Sequence, residues 1–186
     1  MTELVEKASR ELRAQVDISL KVVEWKLVEW QSYDRVGTLN QVAQIMGKHN
    51  KPFDIAVAFQ HFSTFDLLQY MLIGTWEGVI DDTYRRFIVI RRMSVQILLH
   101  EICHAFIFSH DHSWGFRHLM TPVTLYIVPG LMPLNRSSSL KERDREEIVR
   151  NRWRDFSVLP NLQGSRLADP LPLSTEHIAA VSESGP

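Results

Sequence analysis

The chain has 186 residues, of which 45% are hydrophobic and 23% charged, and its formal net charge is −1. These are ordinary values for a globular domain, and the near-zero charge excludes the overall basic field that marks many nucleic-acid-binding domains. The single cysteine, Cys103, excludes an intramolecular disulfide and a multi-cysteine metal ribbon, and it suits a reducing compartment.

Two helices are predicted in the N-terminal part of the chain. Residues 3–15 place apolar side chains at helical spacing, whereas residues 16–30 fit either an amphipathic helix or a strand. Residues 37–48 are predicted to form the second helix, which ends before Pro52 because the residue preceding a proline disfavours helical backbone. The charged N-terminus lacks an apolar signal core, so no secretory signal is expected.

The middle of the chain is predicted to supply short strands and one apolar helix. Residues 54–59 (DIAVAF) and residues 86–91 (RFIVIR) are short apolar runs that favour strands. Residues 76–82 contain a glycine and an Asp-Asp pair, which predicts a turn. Residues 93–109 are strongly apolar and predict a helix with Ser94 as its N-cap.

The C-terminal part is predicted to contain a charged helix and a tail. The helix covers residues 141–155, and its predicted inward-facing residues are Ile148, Val149 and Trp153. From residue 159 onward the chain is rich in Pro, Ser and Gly without a sustained period, which is typical of a flexible tail. We therefore expect one domain over residues 1–158 and a tail over residues 159–186.

Residues 100–104 spell HEICH, an instance of the HExxH pattern. On a helix, His100 and His104 share one face because they are four residues apart. Two imidazoles placed this way can bind one zinc ion, and Glu101 beside them can act as a general base on a zinc-bound water. The flanking residues are uncharged, as a helix inside a packed core requires.

A catalytic zinc site usually takes three protein ligands, and the residues leave the third one open. His112 ranks first, because a turn after the helix can fold it back onto the metal. His110 ranks second, since on a continued helix it would lie about 120° around the axis from His104. The third option is a downstream glutamate, with Glu142, Glu146 and Glu147 as candidates.

The string LLHEICHAFIFSHDHSWGFRHLM resembles the active-site helix of SprT-like (Spartan-type) zinc metallopeptidases. Those proteins carry HExxH, often with cysteine before the second histidine, and a third histidine that lies four residues ahead of a phenylalanine. Here that arrangement runs from His112 to Phe116, and the preceding RFIVI fits the family's order of strand and helix. The resemblance covers residues 54–122 and implies His100, His104 and His112 as zinc ligands, with Glu101 as general base.

The expected fold is α+β and zincin-like, with a small mixed or antiparallel sheet packed on the HExxH helix and further helices around it. The resemblance implies an intracellular zinc metalloendopeptidase, cytoplasmic or nuclear, which hydrolyses proteins or peptides with a zinc-activated water. It also implies action on DNA-associated proteins, with DNA contact as a further expectation. No membrane contact is expected, because the apolar runs are far too short to span a bilayer.

Several residues receive additional hypotheses. Residues 86–91 can form an edge strand on which an extended peptide docks, and Tyr126 can donate a hydrogen bond to the oxyanion. Residues 123–140 can cover the site, and Cys103 is expected to be a small buried apolar residue. A local basic cluster is interpreted either as a solvated face or as a phosphate contact; it consists of Arg85, Arg86, Arg91 and Arg92.

Two other functions stay open at this level. The first is a non-catalytic adaptor that recruits partners through the charged helix 141–155 and the tail. The presence of Glu101 disfavours it, because a degenerate site often loses its general base. The second is a metallohydrolase that uses a downstream glutamate as its third zinc ligand.

Overall fold

A computed structural model describes residues 1–62, 76–113, 117–121 and 137–160. Within these residues the chain forms four α-helices and a three-stranded mixed sheet, which confirms the α+β class. The helices are α1 (Thr2–Val16), α2 (Arg35–Gly47), α3 (Val95–His104) and α4 (Glu142–Asn151). The strands are β1 (Ala56–Phe59), β2 (Gly78–Ile80) and β3 (Phe87–Ile90).

The sheet has the order β1-β3-β2, with β1 parallel and β2 antiparallel to β3. All four residues of β3 are buried, and the strand has a hydrogen-bonded neighbour on each side. The prediction that residues 86–91 form an edge strand is therefore wrong. The unbroken apolar run FIVI is explained by its central position, since a strand covered on both faces needs no polar alternation.

Successive residues of β3 point to opposite sides of the sheet. Ile88 and Ile90 belong to the core that also contains the buried residues of α1 and α3. Phe87 and Val89 belong to a second core, which they form with residues of α2. The sheet thus lies between α2 on one face and the HExxH helix with α1 on the other.

The predicted turn at residues 76–82 is displaced in the structure. Gly78–Ile80 is strand β2, and the turn follows it, between β2 and β3. The buried carboxylate of Asp81 organises this turn by accepting four backbone hydrogen bonds. The donors are the amides of Tyr84 at 2.6 Å, Arg85 at 3.1 Å, Arg86 at 2.7 Å and Phe87 at 2.7 Å.

The N-terminal helix α1 packs against the HExxH helix α3. Ala8, Leu12 and Val16 are buried at a spacing of four residues, and they join the core that contains α3. Residues 17–34 form neither a helix nor a strand, so both alternatives for residues 16–30 are wrong.

The face of helix α4 that packs on the core is more polar than the sequence predicts. Ile148 is fully buried, but Val149 is 37% exposed and Trp153 is 82% exposed, so two of the three inward predictions are wrong. The helix ends at Asn151, which leaves Trp153 beyond its last turn. Its buried residues include Asp144 and Glu147, two carboxylates that apolar patterning alone does not indicate.

Candidate metal centre

Helix α3 carries the HExxH residues in a buried position. His100, Glu101 and His104 are only 4%, 7% and 6% exposed, and every other residue from Ile97 to Ile107 is buried as well. The rings of the two histidines turn towards each other, with Nε2 of His104 3.1 Å from Nε2 of His100. Their spacing of four residues therefore brings two imidazole nitrogens together, as the pattern predicts.

The tautomer of His100 follows from its second ring nitrogen. Nδ1 lies 2.8 Å from the backbone carbonyl oxygen of Leu119. A carbonyl oxygen only accepts hydrogen bonds, so Nδ1 of a neutral His100 donates its proton there and leaves the lone pair on Nε2. Such a carbonyl partner orients the ring and leaves the opposite nitrogen for a metal ion.

The third histidine arrives from the segment that follows α3. The helix ends at His104, five residues earlier than predicted, and the chain turns back so that His112 approaches both helix histidines. The ring centroid of His112 lies 5.3 Å from that of His100 and 4.9 Å from that of His104. One ligand atom from each of the three histidines lies within 4.8 Å of the other two, so the group can hold a metal ion.

The donor set fits a transition-metal ion. Two nitrogens bound to one tetrahedral metal at about 2.0–2.1 Å lie about 3.3–3.4 Å apart, close to the 3.1 Å between His100 and His104. Burial, followed by the electrostatic repulsion that a protonated ring would meet from His100 and His112, lowers the pKa of His104 well below its ordinary value. The imidazole is therefore neutral at pH 7, which is the form that coordinates a metal.

The other predicted third ligands lie elsewhere. The ring of His110 turns away towards α4, with Nε2 2.8 Å from Oδ1 of Asp144. Glu147 accepts hydrogen bonds from the backbone after α3, and Glu142 is an exposed partner of Arg145. Among the residues that the structure describes, the metal-ligand group contains no glutamate.

Arg85 caps the C-terminal end of α3. Its guanidinium is 2% exposed and donates to the carbonyl oxygens of His104, at 3.2 Å, and of Ile107. It also forms a 2.8 Å ion pair with Asp111, the residue before His112. A cation at this end complements the helix dipole and satisfies carbonyl groups that the helix leaves unpaired. Arg85 thus connects the end of α3 to the returning segment.

Gly78 makes room for Glu101. A Cβ atom at Gly78 would lie 2.7 Å from Oε1 of Glu101 and 2.8 Å from Cγ2 of Ile97. Strand β2 therefore approaches α3 at Glu101 more closely than a residue with a Cβ atom permits. A glycine at this position predicts a turn, and the sequence contains no local signal of its contact with Glu101.

Cys103 has the inert character that the sequence suggests. It is fully buried and unpaired, and burial strongly raises the pKa of its thiol. A thiol held protonated in this way is a poor nucleophile at neutral pH, and Cys103 is not a member of the three-histidine group.

The four clustered arginines are engaged within the protein, which contradicts their interpretation as a solvated face. Arg85 and Arg91 are 2% and 3% exposed. Arg86 donates to the carbonyl oxygens of Asp54 and Phe156. The guanidinium of Arg91 lies over the rings of Phe62 and Trp76. Arg92 forms an ion pair with Glu77. The cluster gives no support to a phosphate contact.

Three hypotheses fall on other parts of the chain. Tyr126 and residues 123–136 of the predicted covering segment 123–140 lie outside the described residues. The predicted tail does so as well, except for its first two residues, 159 and 160.

No family model, no curated protein and no solved structure matched this chain. In the described part of the chain, no helix combines the length and the apolar character needed to cross a membrane.

Proposed function

We propose that the chain is a zinc-dependent metallopeptidase of the SprT-like type, with the zincin-like fold that this resemblance implies. The observation that carries the proposal is the meeting of His100, His104 and His112 in one group, with Glu101 adjacent to the first ligand on the same helix. The two helix histidines of this group are buried and His112 is partly buried. A hydrolytic zinc site needs three protein ligands and a nearby carboxylate, and these residues supply both.

Zinc is the metal we propose, because three neutral imidazoles suit zinc and peptide hydrolysis needs no redox change. The ligands would be Nε2 of His100, Nε2 of His104 and one ring nitrogen of His112. When bound there, zinc supplies Lewis acidity that lowers the pKa of water to about 7 and polarises a carbonyl group.

Glu101 is the proton carrier in this proposal. Its carboxylate takes the proton of the attacking water and passes it to the leaving amine. The side chain is held between α3 and β2, where Gly78 leaves it space and the surrounding core limits its movement. Because Glu101 is not a member of the three-histidine group, we expect the removal of its charge to affect proton transfer and to leave metal binding intact.

We assign the docking of an extended substrate to strand β2, because β3 is the central strand of the sheet. Within the described residues β2 pairs with β3 alone, and it runs past Glu101. An extended peptide that adds to this edge would pass the proposed general base. Protein or peptide substrates, DNA-associated proteins among them, and an intracellular location rest on the resemblance.

The metal site is tested by elemental analysis of the purified chain after zinc reconstitution. We expect about one zinc ion per chain in the wild type and loss of zinc in His104→Ala. His61→Ala is the matched control, because His61 is an exposed histidine outside the group. A wild-type chain without zinc contradicts the proposal.

The peptidase activity is tested with an unfolded protein and a DNA-binding protein as substrates, with and without single-stranded DNA. Glu101→Gln is expected to retain zinc and to lose about 10²–10⁴-fold in hydrolysis rate. Glu146→Gln, an exposed change on α4, should hydrolyse like the wild type. A zinc-loaded chain that cleaves neither substrate contradicts peptidase activity and leaves the metal site standing.

A further inference from the structure

The inner face of α4 carries two carboxylates that reach the segment bearing His112. Asp144 is fully buried and Glu147 is 8% exposed. Neither belongs to the three-histidine group found among the described residues. A buried carboxylate destabilises a protein unless hydrogen bonds or charges compensate it, so the partners of these two groups indicate their role.

Asp144 holds the chain on both sides of His112. Its Oδ1 atom accepts a 2.5 Å hydrogen bond from the hydroxyl of Ser113 and lies 2.8 Å from Nε2 of His110. His110 precedes His112 by two residues and Ser113 follows it directly. A single carboxylate oxygen thus fixes both flanks of the third histidine.

Glu147 holds the first part of the same segment. Its Oε1 atom accepts hydrogen bonds from the amides of Phe108 at 2.6 Å and Ser109 at 2.8 Å. Its Oε2 atom accepts the hydroxyl of Ser109 at 2.5 Å. The residues joined are 38 or 39 positions apart in the chain, so these bonds act between elements and not within one.

The segment is also connected to the residues that orient His100. The amide of Ser113 donates to the carbonyl oxygen of Met120 at 3.0 Å. The neighbouring carbonyl, that of Leu119, is the partner of Nδ1 of His100. The segment that bears His112 is thus in contact with the residue next to the partner of His100.

We infer that Asp144 and Glu147 are positioning residues, which hold residues 108–113 so that His112 reaches the ion bound by the two helix histidines. The inference rests on the proposed zinc site. A purely structural role predicts lower stability with unchanged metal affinity. Positioning predicts a loss of metal affinity that depends on His112, and loss of such partners typically weakens binding about 10–100-fold.

The first test measures zinc affinity by competition with a chelating dye, and thermal unfolding of the metal-free chain beside it. Asp144→Ala is expected to lower zinc affinity about 10–100-fold, and Asp144→Asn, which keeps an oxygen at the Oδ1 position, to recover most of that loss. Glu146→Ala is the control, because Glu146 is exposed on the same helix. If Asp144→Ala does not fold, Ser113→Ala removes one of the two flanking bonds and keeps the contact between Asp144 and His110.

The second test is a double-mutant cycle with His112→Ala. In that background Asp144→Ala should change zinc affinity by less than about twofold, because the ligand that it positions is gone. Equal losses with and without His112 would overturn the inference. So would zinc affinity within about twofold of wild type in both Ser113→Ala and Asp144→Ala. A wild-type chain that binds no zinc overturns the proposed function together with the inference, whereas zinc binding indifferent to these variants overturns the inference alone.

Discussion

The two halves of the candidate metal centre are built in different ways. His100 and His104 lie on one helix, and the hydrogen bonds of that helix set their separation. His112 lies on the irregular segment after the helix, which is held by Arg85 from the β2–β3 turn and by two carboxylates of α4. One half depends on local backbone geometry, and the other on contacts between distant parts of the chain.

The two halves should differ in their sensitivity to amino-acid substitutions. The helical pair persists wherever α3 forms, because a spacing of four residues places both rings on one face. The position of His112 depends on contacts that its segment makes with polar groups 26 to 39 positions away from their partners, and each of these groups must itself be in place. We therefore expect the helical half to tolerate substitutions in its surroundings and the returning half to be sensitive to them.

The largest expected effect compares the ligands directly. His104→Ala should lower zinc affinity by more than about 100-fold, beyond the range seen when only a partner of a ligand is lost. His112→Ala should lower it less, because the helical pair still chelates the ion. Competition titration with a zinc-binding dye measures both, with His61→Ala as the control. A larger loss in His112→Ala than in His104→Ala would contradict the view that the helical pair provides most of the zinc affinity.

Local features of the structure can be predicted from the sequence, and features that depend on distant contacts cannot. The HExxH helix was predictable because its evidence is periodic and local: apolar residues surround two histidines four apart. The end of α3 was not predictable from the sequence. The helix ends at His104, where the side chain of Arg85 caps it. That contact joins residues 19 positions apart, and the sequence gives no local signal for it.

The sheet shows the same limit. The apolar run of β3 predicted a strand, but its central place depends on β1 and β2 pairing with it on both sides. Gly78 suggested a turn, whereas the structure uses it in β2 because only a glycine fits against Glu101. The inner face of α4 was predicted from apolar residues, while its buried carboxylates have partners that only the fold brings near.

Arg85→Met is the next largest effect and acts on the returning half. It removes a buried cation that donates to two carbonyl oxygens of the α3 end and pairs with Asp111. We expect a loss of about 2–3 kcal/mol in the free energy of unfolding, as for buried hydrogen bonds with a charged donor. Urea denaturation of the metal-free chain measures it, with the exposed change Arg150→Met as control. Equal stability of both variants would show that the cap contributes nothing.

Gly78→Ala acts on the helical half, at Glu101. The added Cβ would lie 2.7 Å from Oε1 of Glu101, so either the carboxylate or strand β2 has to move, at a cost of about 1–2 kcal/mol. Hydrolysis should fall while zinc affinity stays near wild type, since the histidines are not displaced. Gly47→Ala is the matched control, because a Cβ there meets nothing within 4 Å. Unchanged hydrolysis in Gly78→Ala would contradict the close fit.

The smallest effect concerns the pH dependence of the returning half. Burial alone would raise the pKa of Glu147, but hydrogen bonds from the Ser109 hydroxyl and the amides of Phe108 and Ser109 outweigh it, with His110 also contributing, and lower that pKa. A carboxylate with a lowered folded-state pKa stabilises the protein above its unfolded value of about 4.3, and this stabilisation is lost as the pH falls.

Glu147→Gln should therefore cost about 1 kcal/mol at about pH 5.5, the difference between a hydrogen bond to a charged acceptor and one to a neutral acceptor. The cost should shrink towards about pH 3, where the wild-type carboxylate also becomes protonated. Urea denaturation of the metal-free chain across this range measures it, with the exposed Glu146→Gln as reference. If the difference in the free energy of unfolding between Glu147→Gln and the wild type stays constant with pH, the charge of Glu147 does not hold the segment before His112. The size and shape of the side chain would then be sufficient.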